Sequence, residues 1–458
     1  MTAWQAHLDA HDAQYFDELL ELLRIPSVST DPSRKGDTAA AAQWVADRLK
    51  KAGVPDVEIV ETPGHPVVSA SWLVDPAKPR VLFYGHYDVQ PAEPLELWDT
   101  PPFEPTVRDG RVYARGAGDM KANLLSVIHA VEAFAKTAGQ PPLNLLFLFE
   151  GEEEIGSPNL PAYVEAAREK LAADVVVSAD GGVSGPNLPS LTVALKGLGG
   201  CQIDIRTGES DLHSGMYGAT VPNANQVAVQ LAATFHDDQG RVAIEGFYDK
   251  VIPLTEQDRA DIAEAGAEEA SILEESRAFA LWGENGYTEV ERVYARPTLD
   301  INGMWGGFTG EGSKTVTPAE AHIKVTCRLV PDQDPLEVVD LIRAHVAKHI
   351  LPGVKFEVNR LQGLAYPFVL SRDLPALQKA SAVMNELYGR DPIYTRAGGS
   401  VPITAVFQKV LNADTVSFAF SQPGSNAHAP NEWFRVDDLA LGRRGNYLLI
   451  EAFASGVK

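Results

Sequence analysis

Four short apolar runs stand out along the chain, at residues 81–84, 143–149, 174–177 and 415–420, and each stops in acidic, Gly-rich or histidine-bearing sequence. Their length and composition predict strands. Helical spacing appears at 15–23, through Phe16, Leu19, Leu20 and Leu23, and at 38–52, through Trp44, Val45, Leu49 and Ala52. A further helix is predicted at 122–135. Strands and helices alternate in this way to about Ala194, as a wound α/β domain does.

After Lys196-Gly197 the grain changes. Residues 199–207 alternate like a half-exposed antiparallel strand, and 321–330 alternate again through Ile323, Val325, Cys327 and Leu329. An amphipathic helix is predicted at 221–235, another at 336–349, and a strand at 354–358. Two helices with antiparallel strands make a small α+β insert. The wound pattern resumes near Gly363, with a helix at 374–388, the strand at 415–420 and a last helix at 437–453. The expected layout is therefore 1–194, an insert over 195–362, and 363–458.

Composition narrows the possibilities. At 458 residues and 45% hydrophobic content the chain can bury ample core, and seven Trp with seventeen Phe argue against disorder. A net charge of -23 speaks against nucleic acid as a partner, because phosphate binding needs a basic stripe. Part of that acidity reads as a solvated helical face at 256–275. Cys201 and Cys327, each in a strand-like run and without CxxC spacing, are expected to be buried free thiols. Residues 1–12 lack a basic segment followed by an apolar one, and no stretch reaches the roughly eighteen apolar residues of a membrane span. Neither a signal peptide nor a membrane partner is expected, and the expected location is cytoplasmic.

The candidate chemistry lies where the apolar runs end. His86 and Asp88, Asp119, Glu153 and Glu154, Asp180 and His428 are all ligand-type side chains. In open α/β sheets the ligand crevice lies beyond the carboxyl ends of the strands, so these groups can converge there. Two His with several carboxylates suit zinc, manganese or cobalt better than a thiolate-loving metal. Singly, each signal is weak: His86-x-Asp88 also fits an ordinary polar loop, and Asp119 also fits an N-cap for the helix at 122–135. The crowded Glu150, Glu152, Glu153 and Glu154 are harder to dismiss, since like charges beside a core are usually held for a cation or a catalytic proton.

Together the strings Tyr84-Gly85-His86-Tyr87-Asp88, Gly118-Asp119-Met120-Lys121, Glu150-Gly151-Glu152-Glu153-Glu154, Asp211-Leu212-His213-Ser214-Gly215, Arg328-Leu329-Val330-Pro331 and Asn426-Ala427-His428 resemble metallopeptidase family M20. Within it they are similar to the cytosolic nonspecific dipeptidases and carnosinases. The resemblance implies a wound α/β di-metal catalytic domain interrupted by an α+β lid and dimerisation domain. It implies that His86 and Asp180 bind one ion, that Glu154 and His428 bind the other, and that Asp119 bridges them. Zinc is the expected ion, with manganese and cobalt served by the same donors. Glu153 is implied as the general base acting on a metal-bridging water, with Asp88 orienting His86, and a cis peptide is implied between Asp119 and Met120.

From the insert, the resemblance implies that His213 stabilises the oxyanion in the partner subunit of a homodimer. It further implies that Arg328 holds the substrate's terminal carboxylate. Separately, the Gly-rich turns Gly398-Gly399-Ser400 and Gly424-Ser425 are flexible enough to bring backbone N–H groups near a bound substrate. Two departures from the family pattern occur. Glu152 stands where an apolar residue is common and is expected to point to solvent, and Ala122 stands where Gly is common. The function implied is hydrolysis of dipeptides or short peptides with a free C-terminal carboxylate. The alternatives are an N-acyl-amino-acid deacylase of the acetylornithine or succinyl-diaminopimelate type and an inactive amino-acid-binding scaffold.

Overall fold

The computed structural model describes residues 1–265, 272–273, 276–361, 363–398 and 402–458. Two compact units result. One comprises Met1–Val193, Leu370–Tyr394 and Ile403–Lys458, and the other Ala194–Val369 with Thr395–Pro402.

The first unit is built on a six-stranded sheet in the order Asp56–Val60, Val67–Trp72, Asn144–Glu150, Arg80–His86, Val175–Ser178, Thr415–Ser417. Arg80–His86 is parallel to both its neighbours, and Thr415–Ser417 is parallel to Val175–Ser178. Parallel strands are covered on both faces, which is why they read as unbroken apolar runs; every residue of Asn144–Glu150 is buried. The last strand is shorter than its apolar run because the backbone leaves the ladder, and the Phe420 N–H is taken by the Asn123 side chain at 3.0 Å. On the far edge, Asp56–Val60 and Val67–Trp72 form an antiparallel hairpin. The outer strand is half exposed, so its apolar signal in the sequence is faint.

Helices Asp12–Leu23, Lys35–Lys51, Ala122–Thr137 and Val436–Phe453 lie where helical spacing predicts them. Ala122–Thr137 is buried from Ala122 to Phe134 and packs against Val436–Phe453. Gly442 permits close packing there, since a Cβ would come within 3.1 Å of Ser126 Oγ. A buried polar knot ties three of these helices together. Arg48 Nε donates to Glu18 at 2.7 Å and the same guanidinium pairs with Glu132, while His129 Nε2 lies 2.9 Å from Glu18 and its ring stacks on Tyr15. Buried charges persist only when paired in this way.

The second unit carries a four-stranded antiparallel sheet in the order Asp300–Gly306, Glu320–Leu329, Gly197–Arg206, Lys355–Arg360. The inward residues of the alternating strands, Ile203, Ile205, Ile323 and Val325 among them, pack with Val227 and Ile342 from helices Ala224–Ala232 and Pro335–His349. The first of these helices is shorter than the apolar pattern at 221–235 because the Asn223 side chain caps it, accepting from the Asn225 and Gln226 N–H groups. Edge strand Asp300–Gly306 is exposed on both faces and bulged, so no alternation announces it. Strand Phe368–Val369 pairs with Leu195 and Ala194.

Cys201 and Cys327 are both buried and free. Acidic helix Glu256–Ala265 is largely exposed, and part of the predicted acidic face at 256–275 lies outside the described residues. Among the described residues, no helix is long and apolar enough to cross a membrane. The fold is a wound α/β unit with an α+β insertion, as the sequence pattern predicts.

Candidate metal centre

Three neighbouring parallel strands deliver side chains to one edge of the first unit's sheet. His86 is the last residue of Arg80–His86, Glu153 and Glu154 follow just beyond Asn144–Glu150, and Asp180 lies two residues past Val175–Ser178. The carboxyl ends of parallel strands are where such sheets place their sites. Asp119 comes from the loop before Ala122–Thr137, and His428 from the loop before Trp433–Arg435.

Asp119 sits between the two histidines. Its Oδ1 lies 3.1 Å from His86 Nε2 and its Oδ2 lies 3.0 Å from His428 Nε2, which is also 3.1 Å from Glu154 Oε2. Two ligand groups result, His86 with Asp119 and Asp180, and Asp119 with Glu154 and His428; within each, the ligand atoms lie within 4.8 Å of one another. The peptide between Asp119 and Met120 is cis. Asp119 does not cap the following helix, whose N-cap position is Lys121. His428 adopts a φ of +63°, uncommon for a residue with a side chain and frequent where a site dictates the backbone.

Supporting groups fix these ligands. His86 Nδ1 meets the Asp88 carbonyl at 3.1 Å and its carboxylate at 3.5 Å, while that buried carboxylate accepts from the Glu153 and Glu154 backbone N–H groups at 3.3 and 3.1 Å. Asp88 therefore orients the imidazole and also pins the turn that bears both glutamates. Gln90, which the sequence did not single out, donates to Glu154 Oε2 at 2.8 Å and to its carbonyl at 3.0 Å. Ser178 Oγ accepts from the Asp180 N–H, and Ser417 Oγ donates to the Asp180 carbonyl, so flanking strands hold that residue from both sides.

The electrostatics follow from crowding. Burial pushes the Glu153 carboxyl up to about 9, with Asp180, Glu154 and Asp119 adding to the rise against the relief given by His86. Asp180 is raised to about 7 by burial and by Asp119. Burial also works to raise Asp119, but hydrogen bonds with His428 and His86 outweigh it and hold the group below the usual range. Hydrogen bonds to Asp119 and Glu154 lift His428 to about 10. His86 rises well above its ordinary value despite its burial, because Asp119 and Asp88 favour the charged ring. Positive charge is thus demanded from two sides of Asp119. Two imidazoles and three carboxylates, grouped around one shared carboxylate, fit a pair of divalent cations.

Residues 82–452 match peptidase family M20/M25/M40. The chain belongs to that family. It is 32% identical over 463 residues to the Cys-Gly metallodipeptidase DUG1 of Saccharomyces cerevisiae, covering 95% of each chain. It is 28% identical over 449 residues to the human Beta-Ala-His dipeptidase, covering 93% of this chain and 87% of the relative. Among solved structures, the M20 family metallo-carboxypeptidase Sso-CP2 from Sulfolobus solfataricus superposes with a TM-score of 0.80 at 32% identity, covering 96% of this chain and 99% of that one.

Of the remaining residues singled out, His213 and Arg328 lie on the second unit. His213 ends the short strand Leu212–His213, is exposed, and its Nδ1 accepts from the Gly215 N–H at 3.0 Å. Arg328 is half-buried near the end of Glu320–Leu329, paired across the ladder with Leu198. Gly399 and Ser400 lie outside the described residues.

One expectation is corrected in this M20 chain. Glu152 does not point to solvent: it is buried, accepts from the His65 N–H at 3.0 Å, and receives Asn159 Nδ2 on both oxygens. A buried carboxylate surrounded by donors is satisfied without water, and the polar loop around His65 takes the place of an apolar contact.

Proposed function

We propose that the chain is a metal-dependent dipeptidase that hydrolyses short peptides with a free C-terminal carboxylate. The observation that carries this reading is the Asp119 carboxylate shared by two ligand groups, with Glu153 beside them. In the proposal His86 and Asp180 hold one divalent ion, Glu154 and His428 the other, and Asp119 both. Such ions lower the pKa of water and polarise a carbonyl.

The chain's own residues supply the rest. Glu153 carries no ligand assignment and stands half-buried among the assigned ligands, a position that suits a group that takes a proton from water and returns it to the leaving amine. Asp88 holds the backbone of Glu153 and so fixes where its carboxylate stands. Arg328 is assigned to the substrate's terminal carboxylate, which its planar fork can bind through both oxygens. His213 is assigned to the developing oxyanion, with Gly399 and Ser400 contributing backbone groups.

Zinc is the proposed ion, with manganese or cobalt compatible with the same donors. A homodimer formed through the insert, spanning 195–362 in the sequence reading, belongs to the same proposal and is supported by the exposure of His213. A cytoplasmic location is supported by two cysteines that remain free and buried. The named dipeptidases among the relatives support dipeptides over N-acyl amino acids as substrates, and Glu153 with five ligand-type residues supports activity over an inactive scaffold.

The test is amino-acid release from dipeptides, tripeptides and N-acetyl amino acids by metal-stripped protein reloaded with zinc or manganese, beside Glu153→Gln. Metal-dependent dipeptide turnover that falls by about 100- to 10,000-fold in the variant is expected. Turnover confined to N-acetyl amino acids would overturn the reading, and a preference for longer peptides would shift it toward a carboxypeptidase.

A further inference from the structure

We infer, on the two-ion reading of the site, that the Glu432 carboxylate sets the position of Asp119 by holding the backbone of the loop that carries it. Glu432 is wholly buried. Its Oε1 accepts from the Gly118 and Asp119 N–H groups at 2.8 and 2.9 Å, and its Oε2 accepts from the Gly116 N–H at 2.9 Å and from Arg115 Nη1 at 2.7 Å. Its backbone carbonyl takes the Ala114 N–H at 3.0 Å.

Four of the six consecutive N–H groups from Ala114 to Asp119 therefore end on this one residue. The other two, of Arg115 and Ala117, bond to the Pro102 and Ala114 carbonyls. Among the described residues, no other accepts more than one N–H of this segment.

Glu432 also stands four residues beyond His428. The segment between them is closed by the Trp433 N–H bonding the Ser425 carbonyl at 2.9 Å and by Trp433 Nε1 donating to the Gly424 carbonyl at 2.8 Å. One side chain thus joins the loop bearing the shared carboxylate to the loop bearing the second histidine. The fit is close: a Cβ on Gly118 would lie 3.1 Å from the Trp433 carbonyl and 3.3 Å from Ser425 Oγ.

A carboxylate is required for this task. It offers two acceptor oxygens and no donor, facing three N–H groups and a guanidinium. Glutamine keeps the shape but presents an NH2 group to two of those donors. Glu432 touches neither ligand atoms nor substrate groups, so it is a positioning residue acting through Asp119. Outer-shell partners of this kind typically account for about 10- to 100-fold in metal affinity or activity.

Metal-stripped wild type, Glu432→Gln and Glu432→Asp are titrated with manganese by calorimetry, with far-UV circular dichroism and metal-free Tm recorded for each. The wild type is expected to bind two ions. Folded Glu432→Gln is expected to bind them about 10- to 100-fold more weakly, with kcat reduced and KM changed by less than about threefold. Glu432→Asp keeps a charge partner for the buried Arg115, so it remains folded if the Gln variant does not, and its shorter reach should still weaken manganese binding. A folded variant that binds manganese as tightly as the wild type overturns the inference alone, because a purely structural role would lower Tm and leave affinity intact. A wild type that binds no manganese overturns the two-ion reading and the inference with it.

Discussion

His428 Nε2 lies 3.0 Å from Asp119 Oδ2 although the two residues are 309 positions apart in the chain. With His86 on the other oxygen, Asp119 belongs to both ligand groups and Asp180 to only one. Replacing Asp119 by Ala should therefore weaken binding of both ions by more than about tenfold, and replacing Asp180 by Ala should weaken chiefly one. Calorimetric titration of the stripped proteins distinguishes the two patterns. Loss of a single site in both variants would contradict a shared carboxylate.

Exposed His213 pairs with Val316 through its backbone, and its side chain accepts the Gly215 N–H. On the dimer proposal, hybrids of His213→Ala and Glu153→Gln subunits should contain one active site with both functional residues. Mixing the inactive parents should restore dipeptide turnover above either alone. No recovery in hybrids verified by mass would remove the idea of shared sites.

Buried Glu152 satisfies the His65 N–H and the Asn159 amide. Glu152→Ala should strand the His65 donor away from water, costing about 1–3 kcal/mol of stability and lowering Tm by a few °C. Glu152→Gln keeps one acceptor and should lose less. A Tm for the Ala variant equal to the wild type's would show that water or another acceptor replaces the carboxylate.

Burial pushes the His129 imidazole from 6.5 down to about 3, against the pull of Glu18 toward the charged form. The folded protein keeps this ring neutral while the unfolded chain takes up a proton below about pH 6.5, so stability falls as pH drops from there toward the folded value. His129→Gln can still donate to Glu18 and removes that proton uptake. Its Tm should decline less steeply than the wild type's between about pH 6.5 and pH 4.5, with a gap of a few °C. Equal slopes would mean that His129 is not held neutral.

Legibility in the sequence tracked how local each cause is. His86, Glu153, Glu154 and Asp180 could be found because buried parallel strands are continuous apolar runs and these side chains stand at or just past their ends. Asp119 and His428 stand in irregular loops, so their residue type could be noted but only the motif resemblance gave them roles. Glu432 left no trace in periodicity: its partners are backbone N–H groups 313 to 316 residues away. Glu152 was misread because a Glu in an acidic string is ordinarily solvated, and the donors that bury it come from His65 and Asn159. Strand Asp300–Gly306 escaped notice because an edge exposed on both faces has no alternation to display.

The order in which the ligands occur along the chain also governs when the centre can exist. His86, Asp119, Glu154 and Asp180 all precede the insert, whereas His428 and the anchoring Glu432 follow it. On the two-ion proposal, a growing polypeptide therefore carries four of its five assigned ligands through the synthesis of the insert. Over that interval neither Glu432, which accepts the Asp119 N–H, nor the Thr415–Ser417 strand of the sheet has yet been made. On the two-ion proposal, the second site is complete only once His428, which lies beyond the insert, has been made.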